Sequence, residues 1–180
     1  MKKRNEKHLN HLSVLTAKKQ YSEIKQYLES LPISIKGSVF EYYLEHLFLH
    51  NGWKVKLTAK KGDKGADLLL FHHGNDRPDF IIQAKNWNKP LTSKDVASEL
   101  TIFENEGTDK YGCKQYQMFS LSGYVKDAYK YSKYNIKLNG WERVKELIGS
   151  YEKQIPEIPP LDLFSHNQIA FDKIKSMYNS

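Results

Sequence analysis

The sequence predicts an α/β fold in which a mixed β-sheet carries helices on both faces. Three observations lead there. Short β-prone runs at 53–58, 66–71 and 80–84 follow one another with only turn-forming sequence between them, the pattern of an antiparallel meander. Two later strand-like runs, 115–121 and 135–138, are each preceded by sequence of helical period, the pattern of crossover connections. A helix with a broad apolar face, 37–51, precedes them all. A sheet that begins as a meander and continues by crossovers is mixed.

The elements follow in order. Residues 1–20 are polar and basic, with Leu9, Leu12 and Leu15 three apart, and read as a solvated tail ahead of a short helix lying on the domain. Tyr21, Ile24, Tyr27, Leu28 and Leu31 have helical spacing, and Pro32 ends that helix. Residues 33–36 read as a connection. Ser38 is a candidate cap for 37–51, whose apolar face holds Val39, Phe40, Tyr43, Leu44, Leu47 and Phe48. His46 and His50, one turn apart on this helix, read as solvated. Trp53, Val55 and Leu57 alternate with lysines and threonine, as in a half-buried strand. Residues 59–65 form a lysine- and glycine-containing loop. His72 to Pro78 close a hairpin between the next two strands, with His72 and His73 exposed. Thr92 opens a helix bearing Val96, Ala97, Leu100 and Phe103. Residues 107–112 read as a loop, 123–134 as a helix, and Asn139 as the cap of a helix over 140–148.

Composition bounds the function. The chain has 180 residues, 39% of them hydrophobic, enough for one packed domain with appendages. With 28 Lys+Arg against 21 Asp+Glu its formal charge is +7, which favours a polyanionic partner such as nucleic acid. Cys113 is the only cysteine, so no intramolecular disulfide forms. No apolar run suits a membrane span or follows the basic start as a signal sequence would, so the chain reads as cytoplasmic.

The candidate site comes from the hairpin. Pairing 66–71 antiparallel with 80–84 brings Asp67, at the head of the first strand, beside Gln83 and Lys85 at the end of the second. Oxygen ligands of this kind hold a hard divalent cation such as magnesium, and a neighbouring lysine can stabilise a phosphate. Glu41 follows Phe40 at the edge of the buried helix face and can point along the core toward the sheet. Lys60, Lys61 and Lys64 would form a DNA-binding rim, or an ordinary charged turn. Trp87 reads as a packing residue before a base-stacking one.

Gly37 to Glu41 on the first core helix, Gly62-Asp-Lys-Gly-Ala-Asp67, and Gln83-Ala-Lys85 followed by Asn86-Trp87 together resemble the Mrr-like restriction endonucleases, a branch of the PD-(D/E)xK nuclease superfamily. The resemblance covers about 35–147. It implies a restriction-endonuclease-like sheet and a metal-dependent phosphodiesterase acting on DNA. Asp67 would be the principal Mg²⁺ ligand (Mn²⁺ being an alternative), joined by the backbone carbonyl of Ala84 and by Glu41. Lys85 would orient the attacking water and stabilise charge at phosphorus. Gln83 stands where the wider superfamily has Asp or Glu, and this branch commonly has Gln. Asp63 belongs to the same loop, as a metal-site or a turn-closing residue. The rival reading is a module that has lost cleavage and binds DNA inside a larger helicase or ATPase assembly.

The domain division expected is 1–34 as an N-terminal extension, 35–151 as the catalytic domain, and 152–180 as a proline-containing linker and helix. Ser165, Ile169, Ala170, Ile174 and Met177 suggest that last helix, and the stretch 161–178 resembles the lead-in of superfamily 2 helicases, in which Gln168 would take the place of an adenine-contacting Gln. Either that helix docks back on the domain, or a motor begins beyond Ser180. A homodimer is the other assembly left open.

Overall fold

The computed structural model of the chain describes residues 2–58 and 65–151. Its centre is a five-stranded sheet in the order β1-β2-β3-β4-β5, formed by Lys54–Leu57, Leu68–Phe71, Phe80–Lys85, Tyr116–Ser120 and Ile136–Asn139. β1, β2 and β3 pair antiparallel, and β4 and β5 join in parallel, so the sheet is mixed as expected. All four residues of β2 are buried. Leu68 and Leu70 face one core while Leu69 and Phe71 face the other, which requires helices on both sides.

One layer consists of α1 (Lys2–Ala17), α2 (Tyr21–Ser30), α3 (Ile33–His50) and α6 (Trp141–Gly149). The fully buried Phe40, Tyr43, Leu44 and Leu47 of α3 fill its centre. The other layer holds α4 (Ser93–Ile102), which continues through a π-helical turn at Phe103–Gly107 into α5 (Thr108–Tyr111), and a 3₁₀ segment at Lys126–Tyr131. A capping box fixes the start of α4: Thr92 accepts from the Asp95 backbone N–H, and the Asp95 carboxylate accepts from that of Thr92.

The structure corrects several expectations. The N-terminal segment is not a solvated tail. In α1, Leu12 and Thr16 are fully buried, the Thr16 hydroxyl lies 2.7 Å from the Tyr43 hydroxyl, and the Asn5 amide donates to Ser38 Oγ. Polar residues that suggested solvent instead find partners on α3. α3 itself starts at Ile33, directly after Pro32, so 33–36 is helix rather than connection. Ser38 therefore lies inside the helix, donating to the Ile35 carbonyl instead of capping.

Residues 107–112 are helical rather than a loop until Gly112, whose φ of 63° ends the run. The helix expected over 123–134 is reduced to the 3₁₀ segment. Gly123 turns with φ 74°, and Val125 N–H donates to the Leu91 carbonyl, holding the intervening backbone extended. Asn139 ends β5 and donates to Gln117 Oε1, leaving Gly140 at the start of α6. His46 and His50 are half-buried, not solvated: Ser13 Oγ lies 3.2 Å from His46 Nε2, and the His50 ring stacks on Tyr151. Burial, and then the neighbouring His50, push the His46 imidazole down to about 4. His72 and His73 are exposed as expected.

Among the described residues no helix is long and apolar enough to cross a membrane. The prolines and helix expected within 152–180 lie outside the described residues.

Candidate active site

A cleft of about 910 Å³ opens where β2 begins and β3 ends. Glu41, Asp67, Gln83, Ala84, Lys85 and Glu99 all line it. The hairpin register places Asp67. With Leu68 paired to Ile82, the Asp67 backbone N–H donates to the Ile82 carbonyl and the side chain reaches on to Gln83 and Ala84 of β3. Asp67 Oδ2 accepts from Gln83 Nε2 and from the Ala84 backbone N–H, both at 2.7 Å. These two donors fix the carboxylate. In an extended strand the carbonyl of a residue points to the same side as its N–H, so the Ala84 carbonyl faces the Asp67 edge too.

One wall of the cleft is the start of α3, which contributes Ile33, Lys36, Gly37 and Glu41. The other is α4 and its π-helical continuation, which contribute Glu99, Ile102 and Glu106. Gly65 is where that second wall meets the lead into β2. Its φ is 77°, and a Cβ there would lie 3.5–3.7 Å from Ile102 and from the backbone of Glu99 and Phe103. Lys85 leaves β3 toward this wall and pairs with Glu99, Nζ to Oε1 at 2.7 Å.

Asp67, Gln83, Ala84, Lys85 and Glu41 are thus brought to one cleft, as the sequence suggested. Lys60, Lys61, Lys64 and Asp63 lie outside the described residues. Trp87 departs from its expected packing role, since it is 41% exposed at the rim. Sequence reasoning missed Glu99, whose only signal was a polar position beside the apolar stripe of α4. It also missed Lys36. This lysine is only 4% exposed, and its ammonium donates to the Glu29 carbonyl and to Asn88 Oδ1.

The oxygen donor set suits a hard cation. Mg²⁺ takes one or two carboxylates and completes its shell with water and substrate phosphate, so it needs no protein cage. Among the described residues no three His, Cys, Asp or Glu side chains converge into one.

The catalytic-domain pattern of the Mrr family, described as restriction endonuclease, matches residues 33–148. The chain belongs to this family. It is therefore a nuclease-family protein with a restriction-endonuclease-like fold. No curated protein matches the chain. A solved structure titled "Crystal Structure of Protein of Unknown Function AF1548" aligns with a TM-score of 0.46 and 21% identity, over 57% of this chain and 56% of that one. The chain thus spans little more than half the length of that protein.

Proposed function

We propose that this chain is a Mg²⁺-dependent DNA endonuclease of a restriction or phage-defence type. The observation that carries the proposal is the Asp67 carboxylate, held by Gln83 and the Ala84 backbone on the floor of a cleft that Lys85 and Glu41 also line. In this reading Asp67, the Ala84 carbonyl and Glu41 hold the cation, with Mn²⁺ an acceptable substitute. When bound, the ion supplies Lewis-acid stabilisation of the phosphate and lowers the pKa of a coordinated water. Lys85 orients the attacking water and offsets the negative charge that grows on the phosphoryl oxygens. Glu99 keeps the Lys85 ammonium at the cleft wall before substrate arrives. Lys60, Lys61 and Lys64 take flanking phosphates, so that affinity comes mainly from the DNA backbone. A cytoplasmic location accords with a DNA substrate.

The test is plasmid cleavage by the purified chain with Mg²⁺ or Mn²⁺, with and without EDTA. Asp67→Ala and Lys85→Ala should each abolish cutting while leaving DNA binding largely intact. Glu41→Ala should slow cutting and raise the metal concentration needed. Cleavage that survives EDTA, or Asp67→Ala cutting like the parent, would refute the assignment.

A second reading, a silent DNA-binding module of a helicase or ATPase assembly, is favoured by one observation. The Lys85 ammonium is engaged by Glu99 at 2.7 Å. Binding without cutting across metals and DNA forms would select it. Reading the natural frame past Ser180 for a phosphate-binding loop tests a motor fusion, and sedimentation tests a homodimer.

A further inference from the structure

The rim of the cleft has a chemistry that phosphate handling does not explain. Three large apolar side chains stand exposed around it: Ile33 at 86%, Trp87 at 41% and Ile102 at 37%. In a stacked duplex the backbone facing a nuclease offers charge and sugar, while the flat apolar faces of the bases are turned away. An aromatic ring beside a phosphate-binding cleft is suited to a base that has left the stack.

The fold anchors the Trp87 carbonyl and the side chains on either side of it, and leaves the ring displayed. Ser122 Oγ donates to the Trp87 carbonyl. On one side of it, the Asn86 amide donates to the Leu28 and Lys36 carbonyls. On the other, Asn88 Oδ1 accepts from the Lys36 ammonium. Three residues in a row are thus tied to α2, α3 and the β4 exit, and the middle one projects an indole that completes no core. Lys36 ties this segment to the start of α3, which carries Ile33. The exposed Lys89 follows two residues later and lines the same cleft, so the cleft that the indole rims also carries an ammonium. Aromatic ring and neighbouring cation together are how single strands are gripped, the ring taking a base and the cation a phosphate.

We infer that Trp87, with Ile33 and Lys89 lining the same cleft, is a stacking platform for an unpaired nucleobase next to the phosphate being cut, so that the preferred substrate is DNA that is single-stranded or locally unpaired. This rests on the nuclease reading above and names its substrate class. Ile102, on the opposite wall, bounds the space that the displaced base enters.

The experiment measures binding of the full chain, in EDTA, to a fluorescent single strand, to the matching duplex, and to the duplex with an internal unpaired loop. The unpaired forms should bind more tightly than the duplex. Trp87→Ala should weaken binding of the single strand about tenfold, the loss of one stacked base, and barely affect the duplex. Trp87→Phe should keep most of the affinity but lose the tryptophan quenching that accompanies single-strand binding. Circular dichroism and the Phe variant separate a loss of stacking from a loss of fold. Equal binding of single strand and duplex by the parent, or an equal loss on both in Trp87→Ala, would overturn the inference. So would self-association in sedimentation that Trp87→Ala abolishes with the DNA preference unchanged, since a second copy would then be what covers the ring. If Asp67-dependent cutting of duplex persists under these results, only the inference fails. If no DNA form is bound or cut, the nuclease reading fails with it.

Discussion

Replacing Glu99 with glutamine tests how Lys85 is held. The ammonium and carboxylate lie 2.7 Å apart, and the two side chains are 18% and 22% exposed. Exposed ion pairs contribute about 0–1 kcal/mol, whereas removing one partner of a buried pair costs about 3–5 kcal/mol. A mostly buried pair that water still reaches falls between these limits. Because the amide oxygen of glutamine can still accept from Nζ, a loss of about 2 kcal/mol is expected. In a domain of this size that lowers Tm by about 4–8 °C. Urea unfolding of Glu99→Gln, Lys85→Met and the double variant gives the coupling directly, expected at about 1–2 kcal/mol. Cleavage should fall through kcat with KM little changed, since an ammonium that has lost its anchor spends less time where charge develops. A coupling under about 0.5 kcal/mol would show that water screens the pair and refute the energetic argument. Glu99→Gln cutting like the parent, in a protein where Lys85→Ala is inactive, would refute the positioning argument.

Other outcomes follow from the same structure. His46 is held down to about 4 from its ordinary 6.5. Between those values the unfolded chain binds the proton that the folded chain refuses, so this contribution is complete above pH 6.5 and is lost as pH falls toward 4. Discounted for partial exposure, the loss is about 1–2 kcal/mol, and urea unfolding of His46→Gln between pH 7 and 4.5 should show a correspondingly flatter profile (about one such increment). Lys36→Met should cost about 2–3 kcal/mol by denaturant unfolding, because it removes the donor to the Glu29 carbonyl and Asn88 Oδ1. DNA affinity should fall steeply and linearly on a plot of log K against log salt, and a flat dependence would contradict a phosphate-dominated interface.

The sheet was legible in the sequence because strand alternation and turn residues are local signals. The Asp67–Gln83 contact was legible too, since an antiparallel hairpin leaves little freedom in register. The Lys85–Glu99 pair was not. It depends on how α4 packs against the lead into β2, a tertiary contact made where Gly65 turns the chain with a φ of 77°. α1 was misread for a related reason. Asn5 and Thr16 count as polar in any periodicity, yet each is buried with a hydrogen-bonding partner on α3. The 123–134 segment carries apolar residues at helical spacing, but the strand-like bridge between Leu91 and Tyr124 competes for its first turn and wins. Exposure of Trp87 has no sequence signal at all, because its backbone and not its ring is what the fold anchors.

Gln83 does for Asp67 what an acid at that position could not. Its amide donates to Asp67 Oδ2 at 2.7 Å, side by side with the Ala84 N–H. A carboxylate at that position would set two like charges in contact, and one of them would have to take up a proton or wait for a cation before the site could order. The amide removes that conflict and orients Asp67 in the absence of metal. The cleft still keeps acid at a greater remove, with Glu41 on α3 and Glu99 and Glu106 on the opposite wall, while Lys85 is held against Glu99. In the proposed nuclease such a site would be ordered before it is loaded but would offer a cation fewer negative ligands at its centre. In the proposed nuclease the substrate phosphate then has to supply the missing charge, so metal affinity should rise when DNA binds and the two should assemble together. Coupling of that kind would confine metal-driven hydrolysis to the moment a phosphate is in place.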